Sequence, residues 1–243
     1  MAHTPRLYVR GPLTPGPLQL DAEQAKRLGA VLRMRAGDEF LVFNGDGHEW
    51  RAVVEATTRG GVLAKVTGLE RQAPAPALVV ETWCALVRPQ RFEWAVEKCV
   101  EAGADIIRPL ICEHSARGEG GSPAKQERWQ RIAVEAAEQC GRLTAPVVEQ
   151  PVRFDEMVGR AAGPVFFGEP GGRTWGEAGG LLPSHGRVCL AVGPEGGWSE
   201  AEIAKARASG AVGVSLGGNI LRTETAAVVL TAMVRVFNEG GQR

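Results

Sequence analysis

The spacing of apolar residues changes along the chain, and the change falls near residue 73. Before that point, short apolar runs of strand length occupy residues 6–10, 39–43, 50–56 and 61–67. The Asn-Gly pair at residues 44–45 accepts a positive φ and predicts a hairpin turn between the second and third runs. Regularly spaced short strands of this kind predict a small β-barrel or sandwich over residues 1–72.

Beyond residue 78, apolar runs alternate with stretches of helical periodicity. The strand-like runs are residues 78–87, 105–111, 163–169, 187–192 and 212–216. This alternation predicts a parallel sheet that helices cover on both faces. Because the APAPA sequence at residues 73–77 is a stiff, proline-bearing linker, we expect one domain at residues 1–72 and a second at residues 78–243.

Two glycine-rich segments near the C-terminus each lie between a predicted strand and a predicted helix. The first is GPEGG at residues 193–197, after which Ser199 and Glu202 have the capping-box spacing that starts a helix. The second is LGGNILRTETA at residues 216–226, in which Glu224 opens the last helix. We expect the two preceding strands to be parallel neighbours, so that both loops lie at the carboxyl edge of the sheet, where open α/β sheets bind ligands.

Neither segment matches the commoner nucleotide-binding motifs. The chain has no GxGxxG fingerprint and no GxxxxGK[ST] phosphate loop, and Glu195 places a negative charge where a phosphate would lie. A ligand with a cationic centre and hydrogen-bonding edges suits the two loops better. The alternative interpretation is that GPEGG is only a tight turn and that Arg222 and Glu224 form an ion pair at a helix end.

Composition narrows the class of protein further. The 243 residues are 44% hydrophobic, which is ample for a core. The N-terminus lacks a basic-then-apolar signal and no stretch approaches eighteen apolar residues, so we expect a soluble, cytoplasmic protein. The five cysteines are scattered without a CxxC pair, which argues against a disulfide framework and against a metal site such as zinc.

The charge balance excludes a globally basic surface but not a local one. Lysine and arginine number 28, aspartate and glutamate number 28, and the formal net charge is zero. Four basic residues nevertheless lie within ten positions of each other: Lys26, Arg27, Arg33 and Arg35. This cluster indicates either a contact with nucleic acid or a solvated helix face.

Four segments of the chain resemble one known family. They are GAVLRMRAGDEFLVFNGDG at residues 29–47, EAAEQCGRLTAP at residues 135–146, and the two C-terminal segments GPEGGWSEAEI and LGGNILRTETA. In this order they resemble the bacterial ribosomal RNA small-subunit methyltransferase E family. Its members belong to the knotted SPOUT methyltransferases and make 3-methyluridine in 16S ribosomal RNA. The resemblance extends over most of the chain.

The resemblance implies a fold, a cofactor and partners. The fold is a C-terminal SPOUT α/β-knot domain, with a parallel sheet and a trefoil knot, preceded by a small PUA-like β-barrel domain that docks on ribosomal RNA. The knot rests on the resemblance alone, since ordinary chain topology avoids knots. The implied cofactor is S-adenosyl-L-methionine without a metal. The implied partners are 16S ribosomal RNA in the small subunit and a second copy of the chain, with no membrane and no DNA.

The resemblance also implies which residues surround the cofactor. The backbone of the two glycine-rich loops would enclose the adenine and the methionine arm, because a missing Cβ lets backbone groups approach a flat ring. Apolar side chains of the second loop would sandwich the adenine. The implied cofactor-binding residues are Gly193, Pro194, Glu195, Gly196, Gly197, Leu216, Gly217, Asn219, Ile220, Leu221 and Thr225.

Catalytic and RNA-binding roles follow from the same resemblance. A fixed guanidinium at Arg222 beside the uracil would stabilise the developing uracilate charge, and Glu224 is a weaker candidate for the general base. Glu195 and Glu224 are also candidates for offsetting the sulfonium charge. The expected RNA-binding residues are Arg6, Lys26, Arg27, Arg33, Arg35 and Arg142.

The chain departs from the family pattern at two places, and two other functions stay open. Arg27 stands where the family commonly has a histidine, and residues 88–91 read RPQR where the family tends to have a lysine-rich turn. The first alternative function is a SPOUT methyltransferase that acts on another RNA. The second is a non-catalytic ribosome-binding factor with the same fold. Intact glycine-rich segments argue against the second, because a lost activity would free both loops to drift.

Overall fold

The computed structural model describes residues 4–58, 61–115, 122–159 and 161–240, with only the backbone of residues 239 and 240. The chain forms two compact units. One consists of Met1–Ala75 and Ala137–Ala145, and the other of Pro76–Ala136 and Pro146–Arg243. The domain boundaries expected from the sequence stay a prediction, and the structure adds that residues 137–145 group with the N-terminal unit.

The first unit is built on a five-stranded sheet. Its strands are β1 (Arg6–Tyr8), β2 (Gly16–Leu18), β3 (Glu39–Phe43), β4 (His48–Thr58) and β5 (Gly61–Gln72), in the order β1-β3-β4-β5-β2. The β1–β3 pair is parallel and the other pairs are antiparallel. The predicted hairpin joins β3 to β4, and Gly45 in its turn has a φ of 90°. Buried side chains such as Phe40, Val42 and Val54 form the core of this unit.

One short helix accompanies the first sheet. Helix α1 (Ala22–Lys26) begins at Asp21, whose carboxylate accepts a hydrogen bond from the Gln24 amide in a capping box. The chain then continues as one π-helical turn at Arg27–Val31, which buries Leu28. Just beyond this turn, Arg33 has a φ of 55°, the left-handed region that side chains rarely adopt.

The second unit contains an all-parallel sheet. Its strands are β6 (Leu78–Ala85), β7 (Ile106–Ile111), β8 (Val147–Val148), β9 (Val152–Arg153), β10 (Val165–Arg173), β11 (Gly186–Val192) and β12 (Val212–Val214). Their order is β12-β10-β11-β6-β7-β8, with β9 also paired to β7. The predicted parallel sheet is therefore confirmed. The expectation that the strands before the two glycine-rich loops are neighbours was wrong, because β10 lies between β11 and β12.

Helices cover both faces of this sheet. They are α2 (Pro89–Glu101), α3 (Pro123–Cys140, which passes into the first unit after Ala136), α4 (Phe154–Val158), α5 (Trp175–Ala178), α6 (Glu200–Ala208) and α7 (Thr223–Gly240), with a 3₁₀ turn at Gly179–Leu181. Helices α2 and α7 pack on one face, where the hydroxyls of Thr82 and Thr231 lie 2.9 Å apart. Helices α4 and α6 cover the other face over Trp83, Leu110 and Phe167.

The elements around the glycine-rich loops match the local sequence signals closely. Ser199 caps α6 with the predicted capping box, since its hydroxyl accepts from the Glu202 amide and the Glu202 carboxylate accepts from the Ser199 amide. Helix α7 begins at Thr223, one residue before the predicted start. Strand β12 ends at Val214 rather than at residue 216, so Ser215 and Leu216 leave the sheet and join the loop. No helix in the described part of the chain is long and apolar enough to cross a membrane.

Candidate functional site

A cleft of about 590 Å³ opens at the carboxyl ends of β10, β11 and β12. Three segments form its walls, one after or within each strand. They are residues 168–171 of β10, residues 192–195 and 197–198 at and after the end of β11, and residues 215–221 and 223 after β12, with Ile203 and Ala226 from the following helices. Both predicted loops therefore lie at one edge of the sheet, and β10 adds a third wall between them.

The first loop is fixed by close packing of its backbone. The Gly197 amide donates to the Pro194 carbonyl at 2.8 Å, and Gly197 has a φ of 75°. The Trp198 ring lies so close to Gly193 that a Cβ there would stand 2.9 Å from the ring. The same indole donates from Nε1 to the Gly168 carbonyl at 2.9 Å. Trp198 therefore ties the first loop to the β10 wall of the cleft.

The second loop is tied to the first by one buried side chain. The Thr223 hydroxyl donates to the Gly193 carbonyl at 2.8 Å. Between β12 and Thr223 the backbone is uncovered at two glycines, because a Cβ on Gly217 or Gly218 would meet nothing within 4 Å. Gly217 also has a φ of 114°, which favours glycine at that position. Ile220 is 90% exposed although it is apolar. This apolar side chain lies beside a cleft that exposed backbone groups line, and an aromatic ligand bound in the cleft would cover it.

The third wall comes from an irregularity in β10. The pairing of β10 with β12 shifts register between Gly168 and Arg173, so residues 169–172 leave the ladder. A Cβ at Gly172 would stand 2.7 Å from the Gly213 backbone, so the two backbones approach where no side chain fits. The sequence analysis missed this wall. The signal was available, since the strand predicted at residues 163–169 is followed directly by Pro170-Gly171-Gly172.

The carboxylates near the cleft pair with an arginine that the sequence analysis did not select. Arg91 of α2 pairs through Nη1 with Glu195, and its Nε lies 3.9 Å from Glu224 Oε1. Within the residues that the structure describes, no ion pair joins Arg222 to Glu224, so the helix-end pair offered as an alternative is not found. Glu224 is 7% exposed, and its Oε2 has no hydrogen-bond partner among the described atoms.

A second, smaller cavity of about 330 Å³ adjoins the second loop, and we call it the α2–α7 cavity. Its lining residues are Gln90, Arg91, Trp94, Arg222, Glu224 and Thr225. Consecutive residues of the second loop thus face two spaces, because Leu221 and Thr223 line the cleft while Arg222 and Glu224 line the α2–α7 cavity.

The predicted cofactor-binding residues mostly surround the cleft. All of them line it except Gly196 and Thr225. Thr225 lies instead in the α2–α7 cavity. Gly196 packs under His114, whose Cβ would stand 3.0 Å from a Cβ at that glycine, and His114 Nδ1 lies 3.0 Å from the Gly197 oxygen. Gly196 therefore packs against His114 and does not line the cleft.

The predicted RNA-binding residues are not all equally accessible. Arg6 is 8% exposed, and its Nε donates to Glu49 at 2.6 Å. Its Nη1 and Nη2 donate to backbone carbonyls at the end of α3. We therefore assign Arg6 to the interior of the first unit and leave it out of the proposed RNA surface. Arg27 pairs with Glu138 and Arg142 is half-buried near Thr144, whereas Lys26, Arg33 and Arg35 are exposed.

Comparison with known proteins places both units. A family model described as an RNA methyltransferase domain matches residues 74–235. A second model, described as an RNA methyltransferase PUA domain, matches residues 20–67.

Three relatives of the chain share the name ribosomal RNA small subunit methyltransferase E. The chain is 35% identical over 229 residues to ribosomal RNA small subunit methyltransferase E of Synechocystis, which covers 90% of this chain and 73% of that protein. It is 32% identical over 231 residues to the protein of the same name from Mycobacterium tuberculosis, covering 90% of this chain and 86% of the relative. The crystal structure of the Neisseria gonorrhoeae enzyme of this name, bound to S-adenosyl methionine, superposes with a TM-score of 0.87. The identity is 27%, over 96% of this chain and 98% of that one.

Proposed function

The chain belongs to the ribosomal RNA small subunit methyltransferase E family, and on that premise we propose that it transfers a methyl group from S-adenosyl-L-methionine to N3 of a uridine in 16S ribosomal RNA. The observation that carries this proposal is the glycine-walled cleft, where the two C-terminal segments of the family resemblance meet at the carboxyl edge of a parallel sheet. The reaction then takes place in the cytoplasm, where small ribosomal subunits are assembled.

The cleft fits this cofactor in size, lining and backbone exposure. A volume of about 590 Å³ lies within the range of roughly 300–1,000 Å³ that is usual for small-molecule sites. Leu216, Leu221 and the exposed Ile220 supply apolar surface for the adenine, and the open backbone at Gly217 and Gly218 supplies hydrogen-bonding groups. When bound, S-adenosylmethionine supplies an electrophilic methyl group on a sulfonium centre that becomes an uncharged thioether as N3 takes the methyl.

The chain's own residues must manage the uracil's charge and its N3 proton. We assign stabilisation of the uracil's negative charge to Arg222, because its cationic guanidinium is exposed and lines the α2–α7 cavity next to the cleft. A cation fixed there stabilises the negative charge that spreads over the uracil oxygens as N3 is deprotonated. Glu224 is the candidate proton acceptor, since its buried Oε2 is unpartnered among the described atoms.

Glu195 has a different role in this proposal. Its carboxylate lies at the cleft but is paired with Arg91 of α2. The pair neutralises the charge and holds α2 against the first loop, so we assign Glu195 to the loop's position rather than to the sulfonium.

We assign the docking of ribosomal RNA to the first unit. Lys26, Arg33 and Arg35 present exposed cations within ten residues, next to the π-helical turn. Cations of this kind bind phosphates without reading sequence. Arg27 and Arg142 are less available to bind RNA, since each already makes a contact within the unit.

We also propose a homodimer, because α7 leaves the apolar side chains of Val236 and Phe237 exposed. A monomer at micromolar concentration in light scattering would contradict that proposal.

One assay tests the function directly. The full-length protein is incubated with S-adenosylmethionine and small ribosomal subunits that lack the modification, and the ribosomal RNA is digested and searched for 3-methyluridine by mass spectrometry. We expect one new 3-methyluridine, and sequencing of the fragments maps its position. Transfer RNA and naked ribosomal RNA serve as the other substrates. Absence of the product from all substrates, with the cofactor shown to bind by calorimetry, would favour a non-catalytic ribosome-binding factor.

The Arg222→Ala variant tests the catalytic assignment. Loss of a preorganised charge-stabilising donor lowers kcat by about 10²- to 10³-fold, while cofactor affinity stays near wild type because Arg222 lines the other cavity. Arg128→Ala is the matched control, since this arginine is exposed on α3 and its ion pair among the described residues is with Glu93 at the surface. A kcat within a few fold of wild type in Arg222→Ala would refute the assignment.

A further inference from the structure

The α2–α7 cavity has the size and position of a second ligand site beside the cleft. Its volume of about 330 Å³ lies at the lower end of the range for small-molecule sites, of roughly 300–1,000 Å³. It shares the segment of residues 221–225 with the cleft, because Leu221 and Thr223 line the cleft while Arg222, Glu224 and Thr225 line the cavity. A group held in this cavity therefore touches the same stretch of chain as a cofactor held in the cleft.

The first sign of a ligand is the unpartnered carboxylate oxygen in the cavity. Glu224 is 7% exposed, and Oε2 is buried without a hydrogen-bond partner among the described residues. An ionised carboxylate can only accept hydrogen bonds, and leaving such an acceptor buried and unpaired is destabilising. Glu224, which lines the cavity, thus carries a buried acceptor that lacks a donor.

The second sign is an aromatic side chain left open at the same place. Trp94 is 43% exposed and lies on the side of α2 opposite the buried residues Phe92 and Val96. It lies one turn after Arg91 on the same helix, so the two side chains are neighbours on one face. An exposed indole face is the platform on which nucleobases stack, and such stacking tolerates any base.

The polar groups of the cavity match the edge of one base. Uracil presents an acceptor at O2, a donor at N3–H and an acceptor at O4. The cavity presents donors from Arg91 and Arg222 together with the acceptor of Glu224. Cytosine has an acceptor at N3, so the same carboxylate would face a lone pair.

We propose that the α2–α7 cavity is the pocket that receives the target base turned out of the RNA, with Trp94 as its stacking platform and Glu224 Oε2 as the acceptor that selects the N3–H of uracil. This inference rests on the proposed function. It adds the residues that hold and select the base, and it accounts for both the orphaned oxygen and the exposed indole. Enzymes that modify a base reach the target atom by extruding the nucleotide into such a pocket.

Substitutions of Trp94 and of Glu224 separate stacking on the base from selection of uracil, and both are measured with the same two probes. The probes are two small subunits reconstituted with ribosomal RNA that carries either uridine or cytidine at the position mapped by the methylation assay. Binding of each to the full-length protein is measured by competition, with S-adenosylhomocysteine present so that no methyl transfer takes place. We expect wild type to prefer the uridine subunit by about tenfold or more, the value of a hydrogen bond to a charged group.

The two variants have different expected signatures. Trp94→Ala weakens binding of both subunits by about tenfold, as for loss of one stacked base, and keeps the preference, while Trp94→Phe recovers most of the loss. Glu224→Gln reduces the preference to less than about threefold, because its amide can donate to the cytosine N3. Glu97→Gln on the same helix is the control, since Glu97 pairs with Lys98 outside the cavity and its loss leaves both affinities unchanged.

The outcomes distinguish this inference from the function on which it rests. If wild type methylates the subunits but shows no preference for uridine, or if Trp94→Ala and Glu224→Gln behave as wild type, the base pocket is refuted and the function stands. If wild type forms no 3-methyluridine, the proposed function itself fails. Calorimetry with S-adenosylmethionine and thermal unfolding of each variant exclude misfolding as the cause of a loss, and Trp94→Phe tests stacking with the fold retained.

Discussion

The contact between Gly193 and Trp198 gives the sharpest test of how the cleft is built. A Cβ placed on Gly193 would stand 2.9 Å from Cε2 and 3.0 Å from Cδ2 of the Trp198 ring. The ring has little room to retreat, because its centroid lies 4.9 Å from that of Phe154 and 6.4 Å from that of Phe167. Gly193→Ala therefore forces the indole to move within a packed aromatic cluster.

The cost of that movement follows from packing and one hydrogen bond. Overpacking of a core contact costs about 1–3 kcal/mol, and displacement of the indole weakens its bond to the Gly168 carbonyl. A loss of about 2 kcal/mol lowers Tm by about 4–8 °C for a chain of this length. Because Trp198 joins two walls of the cleft, we expect the Kd for S-adenosylmethionine to rise about tenfold.

The assay needs a glycine control that lacks this contact. Thermal unfolding and calorimetry with S-adenosylmethionine are measured for Gly193→Ala and for Gly180→Ala. At Gly180 a Cβ meets nothing within 4 Å, and φ is not positive at either glycine. Gly180→Ala is therefore neutral or stabilising by about 0.4–1 kcal/mol, through the entropy of the unfolded chain.

A double-mutant cycle with Trp198→Phe identifies the mechanism. The smaller ring removes both the crowding and the Nε1 donor, so Gly193→Ala costs less in that background than in wild type. Additive effects of the two substitutions would show that Gly193 acts through some other contact. Wild-type Tm and wild-type cofactor affinity in Gly193→Ala would refute the packing argument altogether.

Two further predictions concern other buried contacts. Thr223→Val keeps the side-chain shape but removes the bond to the Gly193 carbonyl, so we expect a loss of about 1–2 kcal/mol and weaker binding of S-adenosylmethionine by calorimetry; unchanged affinity would contradict a role for this bond in the cleft. Burial raises the pKa of Glu49, but its hydrogen bonds from Arg71 and Arg6 outweigh burial and hold the pKa below 4.5. The stabilisation from these hydrogen bonds is complete above the unfolded carboxyl's pKa and is lost as pH falls through the folded one. In urea unfolding we therefore expect Glu49→Gln to cost about 3–5 kcal/mol at pH 7 and to make the loss of stability between pH 5 and pH 3 less steep. Parallel curves of unfolding free energy against pH for variant and wild type would contradict this.

Much of the candidate site was predictable because its signals are local. The capping box at Ser199, the glycines that follow β11 and β12, and the start of α7 each depend on a few consecutive residues. The first two were found where the structure has them, and the start of α7 was found to within one residue. Arg91 and Trp94 carried no such signal. On the sequence, Arg91 belongs to the RPQR segment that departs from the family pattern, and Trp94 belongs to an ordinary amphipathic helix. Only the packing of α2 against α7 brings the two residues beside Glu224.

The same distinction explains the error in strand order and the role of Arg6. Local periodicity predicts that strands exist and that they are parallel, but it does not encode which strand lies between two others. The insertion of β10 between β11 and β12 therefore could not be inferred from either loop. An arginine near a predicted RNA-binding segment is expected at the surface, yet Arg6 is buried because Glu49 and the end of α3 surround it.

The sequence by itself determined the alternation of strands and helices, the two backbone-rich loops and the family to which they belong. These properties depend on residue type and on spacing over a few positions, and both are present in the sequence before any tertiary contact forms. Only the tertiary structure decided that β10 supplies a third wall, that Glu195 is paired with Arg91, and that residues 221–225 line two cavities at once. Those features arise from contacts between residues that are far apart in the sequence, and such contacts exist only once the strands have taken their order in the sheet.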